Sequence, residues 1–284
     1  MIFASNIQTP EGPVSLPDGS WLVVEMSEER GCVTHLSPDG QHRRALAKTG
    51  RPNGLAVDRS AAIWVAETMR PALLRMQMDG SYETILTACG DQPFLFPNDL
   101  AFGPDGWLYM TDSGILVGDF GDDYATAAYD GRVYRIHPQT REIQVFDRGI
   151  RFTNGIAFGP DGYLYVNETM SGDVFRYRWS PGGMGPREPF ANVIDPHAAP
   201  GYKGPDGMKF GADGNLYVTV YGQQDVTELG RGGEVLRRIR LAGKCPTNLA
   251  FGPAREKKIY VTEVTLNVLE ALDVDTPGLP LYQG

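Results

Sequence analysis

Six positions of the 284-residue chain occupy the same place in a recurring phrase, and all six side chains carry oxygen. The phrase reads PEGPVS from 10, PNGLAV from 52, PNDLAF from 97, TNGIAF from 153, PDGMKF from 205 and PTNLAF from 246. Carboxylate and carboxamide oxygens are ligands that Ca²⁺, Mg²⁺ and Mn²⁺ prefer, and two acidic charges would balance a divalent cation. We call the second letters of the phrase the marker residues; they are Glu11, Asn53, Asn98, Asn154, Asp206 and Thr247.

The marker residues also have a simpler explanation, because Asn and Asp before Gly are common in turns and need no ligand role there. That explanation covers each position singly, but not the change to Glu and Thr at the same depth of the phrase. If the phrases converge without a cation, Glu11 and Asp206 repel each other and one stays protonated. We therefore predict metal binding by Glu11, Asn154 and Asp206, metal or substrate binding by Asn98, substrate binding by Asn53, and packing by Thr247.

The segments around the markers predict strands. Each phrase begins with a short apolar run, continues through a turn and ends in residues that alternate between apolar and polar, which is the signature of β-structure. The phrase recurs every 41 to 56 residues, a period typical of propeller blades with four strands each. A TIM barrel is excluded because long helical patterns are missing.

We therefore predict an all-β fold, a six-bladed β-propeller with four antiparallel strands per blade, formed by residues 1–284 as a single domain. The first strand of each blade should line the central channel, which brings the markers together in an axial metal site. The segment from Ile2 to Ile7 is expected to pair with the last blade and close the ring.

Composition narrows the choice of partner and compartment. The formal net charge is −9, which argues against nucleic acid and anionic membranes as partners. The three cysteines are widely spaced, so neither a disulfide framework nor a thiolate metal site is indicated. We expect a cytoplasmic protein that is a monomer or weak homo-oligomer. The chain has no GxSxG, GxxxxGK[ST], GxGxxG or HExxH motif, which argues against a serine hydrolase, a kinase or a dinucleotide-dependent enzyme.

The phrases PEGP at 10, PND at 97, TNGIAF at 153 and PDGMKF at 205, with PGLPLY at 277–282, resemble the senescence marker protein, gluconolactonase and luciferin-regenerating enzyme family. The resemblance implies a propeller with one axial divalent cation, which we expect to be Ca²⁺, Mg²⁺, Mn²⁺, Zn²⁺ or Fe²⁺. It also implies hydrolysis of lactones, or of organophosphate esters as in a related branch. The family's metal-binding Glu, Asn and Asp fall on Glu11, Asn154 and Asp206, and its substrate-side or ligand Asn falls on Asn98.

One residue departs from the sugar-lactonase pattern. Many sugar-lactone members carry Arg two residues before the Asn of the PND motif, whereas this chain has Phe96 there. Since Phe offers no hydrogen bond to a hydroxyl-rich substrate, we expect a substrate less polar than an aldonolactone.

The leading functional hypothesis is a metal-dependent lactonase acting on a small lactone. The cation would polarise the carbonyl, Asp206 would act as the general base, and the Asn98 amide would donate to the developing oxyanion. The alternatives are a hydrolase of organophosphates or other esters on the same site, and a non-enzymatic calcium-binding or scaffold propeller.

Two long inserts are expected near the channel mouth. Residues 113–131 are apolar at Ile115, Leu116, Val117 and Phe120 and acidic at Asp119, Asp122 and Asp123, which is compatible with a substrate lid, a solvated loop or a second ion site. Residues 193–204 lead into Asp206 and contain His197, which is either an exposed loop residue or a proton carrier. From these inserts and the marker region we assign substrate binding to Asn53, Phe96, Phe120, Tyr202 and Lys203.

Overall fold

The protein, seen in a computed structural model that describes residues 1–121, 123–181 and 183–284, is built from six four-stranded antiparallel sheets. The innermost strand of each sheet contacts the innermost strands of the sheets on both sides, and the last sheet contacts the first, so the six blades form a closed ring. The predicted six-bladed propeller with four antiparallel strands per blade is confirmed.

The first three blades follow the strand β1, which covers Ile2–Ser5. Blade one contains β2 Pro10–Ser15, β3 Trp21–Glu25, β4 Cys32–Leu36 and β5 Arg43–Lys48. Blade two contains β6 Pro52–Val57, β7 Ile63–Glu67, β8 Ala72–Met76 and β9 Tyr82–Leu86, followed by a hairpin of β10 Ala88–Cys89 and β11 Gln92–Pro93. Blade three contains β12 Pro97–Phe102, β13 Leu108–Asp112, β14 Gly131–Ile136 and β15 Ile143–Ile150, with a 3-10 helix at Val117–Asp119.

The remaining three blades complete the ring. Blade four contains β16 Thr153–Phe158, β17 Tyr163–Glu168, β18 Asp173–Ser180 and β19 Gly183–Asn192. Blade five contains β20 Gly204–Phe210, β21 Leu216–Tyr221, β22 Asp225–Leu229 and β23 Val235–Arg240. Blade six contains β24 Pro246–Phe251, β25 Lys258–Glu263 and β26 Val268–Asp273, and its fourth strand is β1.

Strand β1 closes the ring as predicted. Ala4 and Ser5 pair with Leu269 and Val268 of β26, and the amino group of Met1 donates to the carbonyl of Ala271 at 2.6 Å. The first and last parts of the chain therefore form one sheet, which removes the open edge that an unclosed last blade would present.

An irregularity in every innermost strand explains why the marker residues leave the sheet. In all six blades the register between the innermost strand and its neighbour shifts at the marker, for example between Pro97 and Leu100 and between Thr153 and Ile156. A β-bulge re-aims side chains and interrupts the pairing ladder. The repeated phrase therefore encodes both a strand and the bulge that turns one residue toward the axis.

Glycine after the marker is required by the close approach of the neighbouring blade. A Cβ atom on Gly54 would lie 2.5 Å from the carbonyl oxygen of Asn98, and one on Gly207 would collide with the side chain of Asn248. Only blades three and six replace this glycine, with Asp99 and Asn248.

The apolar core lies between blades rather than in one central mass. Buried side chains of each blade pack against those of the next, as Val24 and Val33 of blade one do with Val65 and Leu74 of blade two. Because these apolar side chains pack between neighbouring blades, the polar marker side chains are free to line the channel.

The last residues of the chain lie against the far end of the innermost strands. The Leu279 amide donates to the carbonyl of Phe210 at 2.9 Å, the rings of Tyr282 and Phe158 are 6.0 Å apart, and Gly284 adjoins Phe102. This tail thus joins blade six to blades five, four and three. No helix in the described part of the chain is long and apolar enough to cross a membrane.

Candidate functional site

A cavity of about 450 Å³ opens at the marker end of the channel. Its lining includes all six marker residues. The bulges of six separate blades therefore bring together residues that are up to 236 positions apart in the sequence. The convergence that the sequence predicts for these residues is present.

Hydrogen bonds fix the amide orientation of two marker asparagines. Asn98 Nδ2 donates to Ser113 Oγ at 3.0 Å, and Ser113 in turn donates to the Thr153 carbonyl at 2.8 Å. Because the Ser113 hydroxyl already donates its proton to a carbonyl, it can only accept a hydrogen bond from Asn98. The amide nitrogen of Asn98, rather than its oxygen, must therefore face Ser113. Asn98 Oδ1 is left available to the cavity.

Asn154 repeats this arrangement one blade further on. Its Nδ2 donates to Thr169 Oγ1 at 3.2 Å, and Thr169 donates to the Pro205 carbonyl at 2.9 Å. Asn154 Oδ1 is buried and has no hydrogen-bond partner in the described part of the chain. A buried acceptor without a partner is costly, which indicates that a ligand normally meets it.

The structure leaves both predicted roles of Asn98 as predictions. The Asn98 amide nitrogen uses one of its two N–H groups on Ser113, so the second is free to donate to an oxyanion. The amide oxygen is free to act as a cation ligand.

The two carboxylates at the axis, Glu11 and Asp206, accept few hydrogen bonds. Glu11 is 3% exposed and accepts one bond, from Asn248 Nδ2 at 3.3 Å. Burial raises its pKa well above the usual range, and the charges of Asp206 and Asp99 add to the effect. Burial likewise raises the pKa of Asp206, with the charge of Asp99 adding to it and the Asn154 amide opposing it.

This donor set fits a hard divalent cation. Glu11, Asp206 and the Oδ1 atoms of Asn98 and Asn154 offer only oxygen, and a cation among them would relieve both the repulsion and the unpaired acceptor. In the described residues no group of three or more His, Cys, Asp or Glu side chains is placed to hold a metal, so carboxamides are needed to complete a coordination sphere.

Two further polar residues next to the markers, Asp99 and Lys209, were not predicted from the sequence. Asp99 is 2% exposed, its Oδ1 accepts from the Leu100 amide at 2.8 Å, and its Oδ2 lies 3.7 Å from Lys209 Nζ. Lys209 occupies a place where the other five phrases have Ala or Val, and Asp99 one where most have Gly. These departures from the repeat were the available signal.

One wall of the cavity is aromatic and joins the two long inserts. Phe152 packs against Phe96 and Phe120 with ring centroids 5.7 and 5.1 Å apart, and Phe120 and Tyr202 are 6.0 Å apart. Phe96, Phe120 and Tyr202 line the cavity, as does Asn53. Ile115 and Val117 pack into the same cluster, while Leu116 is exposed and Asp122 lies outside the described residues.

Two residues of the second insert are not at the cavity. The ammonium group of Lys203 donates to the Ala199 carbonyl, and its side chain is absent from the lining, so the geometry does not support substrate binding by Lys203. His197 is exposed and its backbone amide bonds to Asp195, which agrees with a loop residue. The charge of Lys203 is already engaged by its own loop.

The wall next to Phe96 carries a cation that the sequence analysis did not predict. Arg51 lines the cavity two residues before the marker Asn53, the same offset at which Phe96 precedes Asn98. Comparing that offset across all six phrases would have revealed it. The cavity therefore has an aromatic wall and, adjoining it at Phe96, a basic wall formed by Arg51.

Comparisons with known proteins match the fold and the repeat. A family model described as SMP-30/Gluconolactonase/LRE-like region matches residues 9–265. The diisopropyl-fluorophosphatase of Loligo vulgaris is 29% identical, over 98% of this chain and 92% of its own length. The gluconolactonase of Zymomonas mobilis is 26% identical, over 78% of this chain and 67% of its own length. The calcium-binding protein regucalcin of Agrobacterium tumefaciens superposes with a TM-score of 0.81 at 20% identity, covering 99% of this chain and 96% of that one.

Proposed function

The chain belongs to the SMP-30/gluconolactonase/LRE-like family, and from that premise we propose that it is a metal-dependent lactonase. It would hydrolyse the ester bond of a small lactone in the cavity at the marker end of the channel. The observation that carries the proposal is the buried, unpartnered Asn154 Oδ1 in a cavity that is also lined by the buried Glu11 and the half-buried Asp206. Glu11, Asp206, Asn98 and Asn154 are the residues proposed to hold the cation.

A divalent cation at this place supplies a Lewis acid for the lactone carbonyl and lowers the pKa of nearby water. Asp206 is proposed as the general base that accepts the proton of the attacking water, because it is a carboxylate that lines the cavity at the proposed cation site. Ser113 and Thr169 hold the amides of Asn98 and Asn154 with their oxygens toward the axis. The aromatic wall of Phe96, Phe120 and Phe152 excludes water from one side of the substrate.

The test is proton release near neutral pH from a panel of five- and six-membered lactones. The protein is stripped with a chelator and then resupplied with one divalent cation at a time. Hydrolysis should vanish on stripping and return with metal, and Asp206→Asn should lower turnover at least about 100-fold. Asp91→Asn, an exposed change of the same kind, is the matched control.

A second candidate function is hydrolysis of organophosphate esters on the same site. It is favoured by the diisopropyl-fluorophosphatase of Loligo vulgaris, whose similarity extends over 98% of this chain. A cation that polarises a carbonyl can also polarise a phosphoryl oxygen. Diisopropyl fluorophosphate is therefore included in the panel.

The panel also separates enzymes from a binding propeller. If folded, metal-loaded protein hydrolyses neither lactones nor organophosphates, the lactonase proposal fails. Metal binding without turnover would then favour a calcium-binding or scaffold role.

A further inference from the structure

Arg51 is the one cation among the residues two places before the markers. The other five phrases have a neutral residue at this offset, and the set comprises Thr9, Phe96, Phe152, Gly204 and Cys245. Because the markers converge on the axis, this offset lies around the mouth of the cavity, where Thr9, Arg51, Phe96 and Phe152 contribute to the lining.

The backbone of Arg51 is firmly held. Its amide donates to Glu67 Oε1 at 2.7 Å, and its carbonyl accepts from Thr68 Oγ1 at 2.8 Å. Glu67 is itself 1% exposed and also accepts from Met69 and Thr49. The side chain therefore starts from a rigid position, as a residue that recognises a ligand should.

The guanidinium of Arg51 is largely unsatisfied. It makes one hydrogen bond, from Nη1 to Thr68 Oγ1 at 3.2 Å, and its Cζ lies 5.4 Å from the centre of the Phe96 ring. Within the described part of the chain no carboxylate lies within 4.0 Å of it, whereas Arg132 and Arg187 each pair with an aspartate. A half-buried guanidinium has five donors and normally finds an acceptor for most of them.

Burial disfavours the charged form of the Arg51 guanidinium, as expected for a charge without a close partner. It lowers the pKa of Arg51, while the more distant charges of Glu67 and Glu11 oppose the shift. Glu28 also lines the cavity but is exposed, so water screens its charge. The basic wall therefore attracts anions locally although the whole chain carries a net charge of −9.

We propose that Arg51 binds an anionic substituent of the substrate, so that the preferred lactone carries a carboxylate outside the ring. This inference rests on the proposed function and sharpens it. The planar guanidinium matches a carboxylate with two parallel hydrogen bonds, and Phe96 keeps its plane fixed from one side. With the ring carbonyl at the axis and the carboxylate on Arg51, the ring itself lies against the aromatic wall. The expectation of a less polar substrate, drawn from Phe96 alone, is thereby replaced by that of an acidic one.

The test compares two matched probes. One is a five-membered lactone with a carboxylate on the carbon beside the ring oxygen, and the other is the primary amide of the same acid. The wild-type protein should favour the acid over the amide by about 10- to 100-fold in kcat/KM, because hydrogen bonds to charged groups are the strong ones. In Arg51→Met the ratio should fall close to one, and Arg51→Lys should restore part of it.

A binding measurement separates this inference from the proposed function. Calorimetry with a cyclopentanone carboxylate, which has no ester to cleave, and with its primary amide reports charge recognition without turnover. Arg70→Met is the matched control, since Arg70 belongs to the same blade, is exposed and does not line the cavity. It should leave both ratios as in the wild type.

The outcomes separate the two ideas. Lactone hydrolysis with an acid-to-amide ratio near one in the wild type overturns the inference about Arg51 and leaves the lactonase intact. Tighter binding of the ketone acid that is lost in Arg51→Met supports the inference even if no lactone is hydrolysed. An equal loss of preference in Arg70→Met would show a general charge effect and would also overturn it.

Discussion

Two groups of buried carboxylates in this propeller have opposite surroundings. In five of the six blades an acidic residue ends the second strand, and the Glu67, Asp112 and Glu263 side chains each accept three hydrogen bonds from nearby backbone or hydroxyl groups. At the axis, Glu11 accepts a single long one from Asn248. The two groups differ in the number of hydrogen bonds they accept rather than in burial, since Glu11 and Glu67 are 3% and 1% exposed.

This difference shows what each group is for. A carboxylate that accepts three backbone or hydroxyl donors holds the segment leading into the innermost strand, and its charge is solvated by the protein. A buried carboxylate with a single long hydrogen bond, such as Glu11, carries an unfavourable desolvation free energy that a bound cation would offset. The blade carboxylates hold the backbone of the ring, and the axial ones are those proposed to bind a cation.

Removing a blade carboxylate should have the largest effect on stability. In Glu263→Ala the amides of Cys245, Thr265 and Leu266 lose their acceptor, so we expect a loss of about 3–5 kcal/mol in the free energy of unfolding. Urea denaturation measures it. Asp273→Ala, an exposed change in the same blade, should cost less than about 0.5 kcal/mol. Similar losses in both variants would contradict the role given to Glu263.

The second prediction concerns the ion pair of Lys209 and Asp99 near the axis and its contribution to the free energy of unfolding. Lys209→Met leaves the Asp99 carboxylate buried without its cation, and we expect a loss of about 2–4 kcal/mol in metal-free protein. Asp99→Asn combined with Lys209→Met should recover part of that loss, because no unpaired charge remains. Strict additivity in the double-mutant cycle would show that the two side chains do not interact.

The hydroxyl groups that orient the marker asparagines should affect metal affinity more than the stability of the blades. Thr169→Val removes the acceptor of Asn154 Nδ2, so the amide is free to rotate its oxygen away from the axis. We expect metal affinity, measured by calorimetry, to fall about 10-fold. Thr34→Val, which removes a buried hydroxyl that donates to Glu25 in blade one, is the control and should leave the affinity unchanged.

The last prediction concerns the pH dependence of stability. In the unfolded chain Glu11 and Asp206 titrate near pH 4. In the folded, metal-free chain burial raises both pKa values; the charges of Asp206 and Asp99 add to the shift of Glu11, and the charge of Asp99 adds to that of Asp206. The folded state then keeps protons that the unfolded state has lost, so the free energy of unfolding falls as the pH rises above about 4, until the raised pKa values are passed.

Glu11→Gln should flatten this fall by up to about 1.4 kcal/mol per pH unit, measured by urea denaturation in chelator across pH 4 to 8. Adding the divalent cation to the wild type should remove the fall, since the cation then stabilises both carboxylates. Identical slopes in the variant and the wild type would mean that Glu11 is already ionised in the folded chain.

The fold was predictable because the same phrase recurs with the same turns. Alternation gave the strands, the period gave the blades, and the marker residues gave the convergence that the cavity shows. The family resemblance is confirmed by the match over residues 9–265, and the relatives' names confirm the expectation of a hydrolase family. The metal and the substrate stay predictions.

The parts that sequence reasoning missed all depend on comparing blades with one another. The substrate prediction used Phe96 alone, although Arg51 has the same offset in the neighbouring phrase and lies beside Phe96 in the cavity. Asp99 and Lys209 belong to different blades, and only the ring geometry brings them within 3.7 Å. The orientation of the Asn98 amide depends on a hydroxyl 15 residues away and could not be read from its own phrase.

Ring closure by β1 has a consequence for how the protein folds. The bond from Met1 to Ala271 joins residues 270 positions apart, and pairings of such separation form late and slowly. Until β1 arrives, β26 presents an unpaired edge on which a second chain could pair, so the interval before closure is the one most exposed to aggregation. Once closed, the ring resists opening because β1 must detach before blade six can separate, which makes this short strand a determinant of the lifetime of the native state.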